Sequence, residues 1–353
     1  MRPPPHDAFP SVATFRARVD GIVRREARQG RRDVVILAID GIGLSLARRL
    51  WRGADIRPMV SVMPTTSVSA WLSSLTGLPV SRHGVPGVAI RLPDFGMVNV
   101  LEHRGPLGVP AVGNIFTDAA SHGYLPLAVV GDWQPYDCRW RDELLHGAGR
   151  VAGALFYAAG DASPGPESLR RKLQEAVEPL RAAAGEQPRL IWCFIDADRL
   201  IHREGYSPAI RAFLQAIDRV ARRWAAAGAV VLAHSDHGLV PTRHSPAVHR
   251  TLEEAKGRFG CASGGAGRLR WIYVPAEQTG TAIRYLKQAM PASVAVLSAD
   301  LLFEKGSLAR ERVGNVALLA KGTDFLTLEG YGYEHGSSQP EELFVPLARW
   351  SDC

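Results

Sequence analysis

Carboxylates and histidines gather in four short stretches of the 353-residue chain, each where an apolar run gives out or is about to begin. VVILAIDGIG ends its run at Asp40, with Gly41 and Gly43 free to make a tight turn. In FIDADRLIHREG, Asp198 and His202 stand four apart, a spacing that puts carboxylate and imidazole on one face of a helical turn within reach of one cation. Asp196, next to the run, either rivals Asp198 or supports it. VVLAHSDHGLV ends in Asp236 and His237, which can turn toward one ion beyond a strand end but not within it. His234 belongs to that strand and reads as a packed residue. YGYEHGSSQPEELFVPL sets His335 among glycines ahead of a last apolar strand. Each stretch alone has a plainer reading, a helix cap or a surface histidine. Together Asp40, Asp198, His202, Asp236, His237 and His335 supply three carboxylates and three imidazoles, enough for two divalent ions with open positions. Oxygen and nitrogen donors without thiolate suit zinc and admit manganese or iron.

A nucleophile would complete such a site, and MPTTSVSAWLSSLTGLPVSRHG offers Thr65, Thr66 and Ser67 at the start of an apolar-periodic helix. Hydroxyls there commonly cap the helix. The same helix end also presents amide N–H groups and a positive dipole to an anion, and a metal can activate a hydroxyl for attack. Metals at strand ends with a hydroxyl at a helix start make a phosphoryl-transfer site. A dinucleotide fingerprint at Gly41 and Gly43 is disfavoured, because Leu46 takes the third glycine position.

The elements that must position these residues follow from periodicity. Val34 to Ile39, Leu127 to Val130, Leu190 to Ile195, Ala229 to Ala233 and Val316 to Leu319 read as buried strands, and Leu169 to Ala182 and Ala209 to Ala226 as amphipathic helices. Continuous apolar strands alternating with helices predict an α/β fold with a mainly parallel central sheet sandwiched between helices. Open α/β sheets place their sites beyond the strand ends, where these residues stand. Gly84 to Gly113 reads as short strands and turns. The expected organisation is an Arg-rich N-terminal extension over 1–32, a catalytic core over 33–239 and 314–353, and an inserted subdomain or cap over 240–313, with Arg268 and Arg270 as candidate substrate contacts.

With these motifs assembled, the chain resembles the alkaline phosphatase superfamily, in its type I phosphodiesterase/nucleotide pyrophosphatase branch, from Val34 to Leu347. The motifs that carry the resemblance are VVILAIDGIG, PTTSVSAWLSSLTGLPVSRHG, DADRLIHREG, SDHG and EHGSSQPEELFVPL, in the family's order. The resemblance implies an alkaline phosphatase-like fold with one metal on Asp198, His202 and His335 and the other on Asp40, Asp236 and His237. Counting back from Thr76-Gly77 it implies Ser67 as the nucleophile of a Ser/Thr phosphoenzyme, with Thr66 as the alternative. Branch members commonly carry Thr there. The better-known nucleotide pyrophosphatases also carry an Asn shortly after the HG, where this chain reads Val85, Pro86, Gly87, Val88, leaving Asn99 and Asn114 as possible substitutes. The implied substrate is a small-molecule phosphate ester or nucleotide. Phosphomonoesters and phosphonates remain alternatives on the same site, as does a non-catalytic metal-binding relative acting as a binding module. A sulfatase is disfavoured, since Ser67 is followed by Val68, Ser69 and Ala70.

Composition narrows the rest. With 46% hydrophobic and 22% charged residues the chain is globular rather than fibrous or disordered. The net charge of +7 suggests a polyanion partner, yet residues 1–32 carry eight arginines against three acids, leaving +2 for the other 321 residues, so nucleic acid is disfavoured. The four cysteines form no CxxC pair. No apolar run approaches the roughly 18 to 20 residues of a membrane helix, and the first residues lack a secretory pattern, so no membrane association and a cytoplasmic location are expected. Val12 to Arg28 reads as a helix on the surface or frayed, and removing the first 30 residues is expected to leave hydrolysis largely intact.

Overall fold

The computed structural model describes residues 9–151, 166–182 and 187–350. Its main sheet has seven strands, in the order Asp55–Val60, Phe344–Trp350, Val230–His234, Val34–Ile39, Arg189–Ile195, Leu125–Val129 and Gly149–Val151. The last five named run parallel to one another, and Phe344–Trp350 lies antiparallel between Val230–His234 and Asp55–Val60. Alternate residues of Val34–Ile39 feed two cores. Val35, Leu37 and Ile39 pack with Phe213, Leu214 and Ile217 of the helix Pro208–Ala226, and Val34, Ile36 and Ala38 pack with Val68, Trp71 and Leu75 of the helix Ser67–Thr76. That double burial explains why the strand reads as an unbroken apolar run.

Register sets where the chemistry falls. Ile39 stands opposite Ile195 and Ala38 opposite His234, so three neighbouring strands end nearly level. Asp40, Asp196 and Asp236 therefore emerge from one edge of the sheet. Gly41 makes the turn after the first of these strands with φ +84°, and a Cβ on it would stand 2.8 Å from Leu239 Cδ1. Only glycine adopts this backbone cheaply at so close an approach.

A second, four-stranded antiparallel sheet runs in the order Ala262–Ala266, Leu269–Tyr273, Val316–Ala320, Val294–Ser298. The stretch Val316 to Leu319, expected in the catalytic core, is thus a central strand of this smaller sheet. A fully buried strand looks alike in sequence whichever sheet claims it; its partners here are Leu269–Tyr273 and Val294–Ser298. Asp55–Val60 goes unannounced because charge and Pro58 interrupt it, as an edge strand tolerates.

The N-terminal helix also departs from expectation. Phe15–Gln29 is neither frayed nor loosely attached: Phe15, Val19 and Val23 are buried in the core beneath the Ser67–Thr76 helix, and Phe15 stacks on His234 with ring centroids 3.8 Å apart. Arg16 pairs with both oxygens of Asp118 at 2.7 and 2.8 Å and donates to Thr76 O at 2.9 Å, closing the carboxyl end of the Ser67 helix. The four-residue spacing of its apolar positions is what the arginines obscured. Phe15→Ala is expected to cost about 3–5 kcal/mol, and deletion of residues 1–30 to abolish cooperative folding, both measurable by denaturant unfolding; a truncated protein of undiminished stability would contradict this packing.

Candidate active site

The six expected residues converge in two trios. Asp198, His202 and His335 form one and Asp40, Asp236 and His237 the other, with the potential ligand atoms of each trio within 4.8 Å of one another. His202 Nε2 lies 2.9 Å and His335 Nε2 3.9 Å from Asp198 Oδ2. Across the site, His237 Nε2 lies 3.1 Å from Asp236 Oδ2 and 3.6 Å from Asp40 Oδ1. The rings of His237 and His335 stack at 3.8 Å, joining the trios.

Local structure explains this convergence. Asp198 opens the short helix Asp198–Glu204, so His202 follows one turn later on the same face. Asp196, one residue ahead of the N-cap Ala197, accepts from Arg199 N at 3.0 Å and so serves the first turn of that helix. Ser235 Oγ accepts from Ile42 N at 2.8 Å, and Gly41 N donates to Asp236 Oδ1 at 3.2 Å, tying two strand ends together. His202 Nδ1 donates to Tyr333 O and His335 Nδ1 to Thr65 O, each at 2.7 Å, which leaves Nε2 of both rings facing the site.

Electrostatics make the arrangement costly as it stands. Burial, reinforced by the charges of Asp236 and Asp198, raises Asp40 well above the usual carboxylate range, and burial together with Asp198 pushes Asp236 up to about 7. Burial would raise Asp198 too, but His202 and His335 beside it hold it low. In turn His202, lowered by burial yet paired with Asp198, stands at about 9. His237 and His335 are both lowered, chiefly by burial. Asp198 Oδ1 and Asp236 Oδ2 are buried acceptors that lack a hydrogen-bond partner among the described residues. Carboxylates crowded in low dielectric, with unfilled acceptors and imidazole nitrogens turned inward, fit divalent cations.

The two neighbouring hydroxyls face different ways. Ser67, first residue of its helix, places Oγ 3.1 Å from His237 Nε2 and 3.4 Å from Asp40 Oδ1. Thr66 Oγ1 instead lies 3.0 Å from Ser69 Oγ, which donates to Val85 O, and so turns away from the trios. Trp71, which the sequence did not single out, and Thr65, read there only as one of three hydroxyls at the helix start, also matter. Trp71 Nε1 donates to Asp40 Oδ2 at 3.2 Å, and Thr65 binds the His335 loop three ways, through Gly336 N, Ser337 O and His335 Nδ1. Trp71 was legible only in that it follows Ser67 by four.

Residues 34–302 match the family described as type I phosphodiesterase / nucleotide pyrophosphatase. The chain belongs to this family. It is accordingly a metal-dependent hydrolase of phosphate esters. No curated protein matches it in sequence. Among solved structures it is similar to phosphonoacetate hydrolase from Sinorhizobium meliloti 1021, solved in complex with phosphonoacetate, at 19% identity and TM-score 0.66 over 91% of this chain and 90% of that one. It is also similar to murine ectonucleotide pyrophosphatase / phosphodiesterase 5, at 15% identity and TM-score 0.63 over 90% and 88%. An inactive form of the murine protein was solved in complex with AMP, at 15% identity and TM-score 0.62 over 90% and 87%. These likenesses establish the alkaline phosphatase-like fold. Among the described residues no helix is long and apolar enough to cross a membrane.

The other candidates have partners of their own within the fold. Asn114 caps the helix Ile115–Ser121 and donates to His146 O, while Asn99 donates to Glu102 and accepts from Leu101 N. Both side chains are thus engaged in local hydrogen bonds. Arg268 is fully buried, with Nε 3.2 Å from Glu342 Oε1, and its backbone N donates to His335 O; Arg270 Nη1 is held by the carbonyls of Gly267 and Leu269. His234 packs in the core, where burial lowers it to about 3. Thr65→Val keeps the shape but strands Gly336 N and Ser337 O, an expected loss of about 1–3 kcal/mol in chemical denaturation, with Thr65→Ser close to wild type; equal stability of the valine variant would show that the clasp carries no energy.

Proposed function

We propose that the chain is a two-cation phosphodiesterase/nucleotide pyrophosphatase-like hydrolase that works through a Ser67 phosphoenzyme. The observation that carries this reading is the position of Ser67 Oγ, beside His237 Nε2 and Asp40 Oδ1 at the start of a ten-residue helix. Asp40, Asp236 and His237 would hold one cation, and Asp198, His202 and His335 the other. The donor set of carboxylates and imidazoles supports zinc, with manganese or iron as competitors. When bound, such ions lower the pKa of a neighbouring hydroxyl and neutralise charge on the phosphoryl oxygens.

The protein's own part is placement. Ser67 Oγ gives up its proton, which ends on the leaving oxygen, and attacks phosphorus; the Oγ–P bond forms as the bond from phosphorus to that leaving oxygen breaks. Water then attacks phosphorus on the far side, the Oγ–P bond breaks, and Ser67 regains a proton. Amide groups of the first helical turn favour the anionic phosphoryl group near Ser67. The fold similarity to a pyrophosphatase / phosphodiesterase and the family profile together support diesters and nucleotide pyrophosphates as the substrate class.

The expected outcome is that Ser67→Ala abolishes turnover of an aryl phosphodiester while Thr66→Val retains it. Wild-type enzyme acid-quenched during turnover of that diester is expected to carry the retained, still esterified phosphoryl group of the substrate on Ser67 by peptide mass spectrometry. Phosphorylation of Thr66, or turnover confined to monoesters or phosphonates in a substrate panel, would overturn the respective part of this reading. Cation binding must also displace protons from Asp236 and His202, whose pKa values stand near 7 and 9. Affinity is therefore expected to rise as pH increases through that range and then level off, with proton release seen by calorimetry in buffers of different ionisation enthalpy. An affinity independent of pH would count against these ligands.

A further inference from the structure

Ser67 and Trp71 stand one helical turn apart on the same face of the helix Ser67–Thr76, and both reach Asp40. The carboxylate is divided between them. Its Oδ2 accepts the indole N–H of Trp71 at 3.2 Å, while Oδ1 faces Ser67 Oγ at 3.4 Å and His237 Nε2 at 3.6 Å. Indole nitrogen donates and cannot accept, so it can serve only one of the two oxygens and leaves the other for a cation.

The indole is itself fixed. Trp71 is fully buried, with Trp192, Phe194 and Trp133 set edge-on at centroid distances of 5.8, 5.9 and 6.3 Å and His234 edge-on at 5.0 Å. His234, with its charged form suppressed by burial, stacks in turn on Phe15. A ring held on several sides leaves its N–H one direction to point in. The aromatic cluster thus acts as a rigid mount for one hydrogen bond, and that bond sets the rotation of the Asp40 carboxylate.

We infer that Trp71 is a positioning residue for the cation site, orienting Asp40 so that Oδ1 is presented jointly to the cation and to Ser67. This inference rests on the reading of Asp40 as a cation ligand. It differs from a packing role, which any large aromatic ring would fill. It also couples nucleophile and ligand, because one helix carries both Ser67 and the group that orients Asp40.

The test is cation affinity, read by competition of the purified protein with a chromophoric zinc chelator. Trp71→Phe retains a ring and removes the donor; benzothienylalanine at position 71 replaces N–H by sulfur with little change of shape, and serves if the phenylalanine variant does not fold. Loss of an orienting partner of a metal ligand characteristically weakens binding about 10- to 100-fold. The expected result is that weakening at one of the two cation sites for either variant, with circular dichroism unchanged. Asp40→Ala is the control. If Asp40→Ala loses one cation while the position 71 variants bind with wild-type affinity, the inference fails and the reading of the site stands. If Asp40→Ala still binds both cations with wild-type affinity, Asp40 is no ligand and both fail.

Discussion

Three carboxylates share one small buried volume at the ends of adjoining strands, and their mutual repulsion is the constraint around which the rest is built. Asp40, Asp198 and Asp236 cannot all carry charge there without compensation, as the raised pKa values of Asp40 and Asp236 record. Three imidazoles meet them, and His202 offsets Asp198 directly at 2.9 Å. What remains is a site whose charge balance calls for cations rather than further side chains. Cations also account for how a nearly neutral body can attract an anionic substrate while its arginines lie elsewhere.

Holding such a site open costs free energy, and the surrounding structure supplies it through ties between loops. Thr65 connects the Ser67 helix to the His335 turn, and Ser235 and Asp236 tie the turn after Val34–Ile39 to the loop after Val230–His234. The buried pair of Arg268 and Glu342 anchors the same His335 segment from the smaller sheet, since Glu342 also accepts from Ser337 N and Gln339 N. The N-terminal helix belongs to this scaffold: Arg16 ties down the carboxyl end of the Ser67 helix, and Phe15 packs on His234.

Much of this was legible in sequence. Unbroken apolar runs ending in Asp40, Asp196 and the Ser235–His237 stretch reported strands buried on both faces, and the i, i+4 spacing of Asp198 and His202 reported a helical turn. Long-range pairing was not legible. Nothing in Val316–Ala320 distinguishes a strand of one sheet from a strand of the other, and nothing local in Arg268 tells a buried partner of Glu342 from a substrate contact. The N-terminal helix misled for a related reason, because charge dominated its composition while three apolar residues at four-residue spacing decided its burial. Trp71 reads as a core residue in sequence; only its direction toward Asp40 gives it a part in the site.

The central claim is that the two trios each hold a divalent cation, with Ser67 beside the second. Anomalous diffraction at the zinc edge from crystals grown with zinc tests it most directly. The account predicts two peaks, one bonded to Asp198, His202 and His335 and one bonded to Asp40, Asp236 and His237, at about 2.0–2.2 Å from the ligand atoms. A single peak, or peaks bonded to other residues, would contradict it.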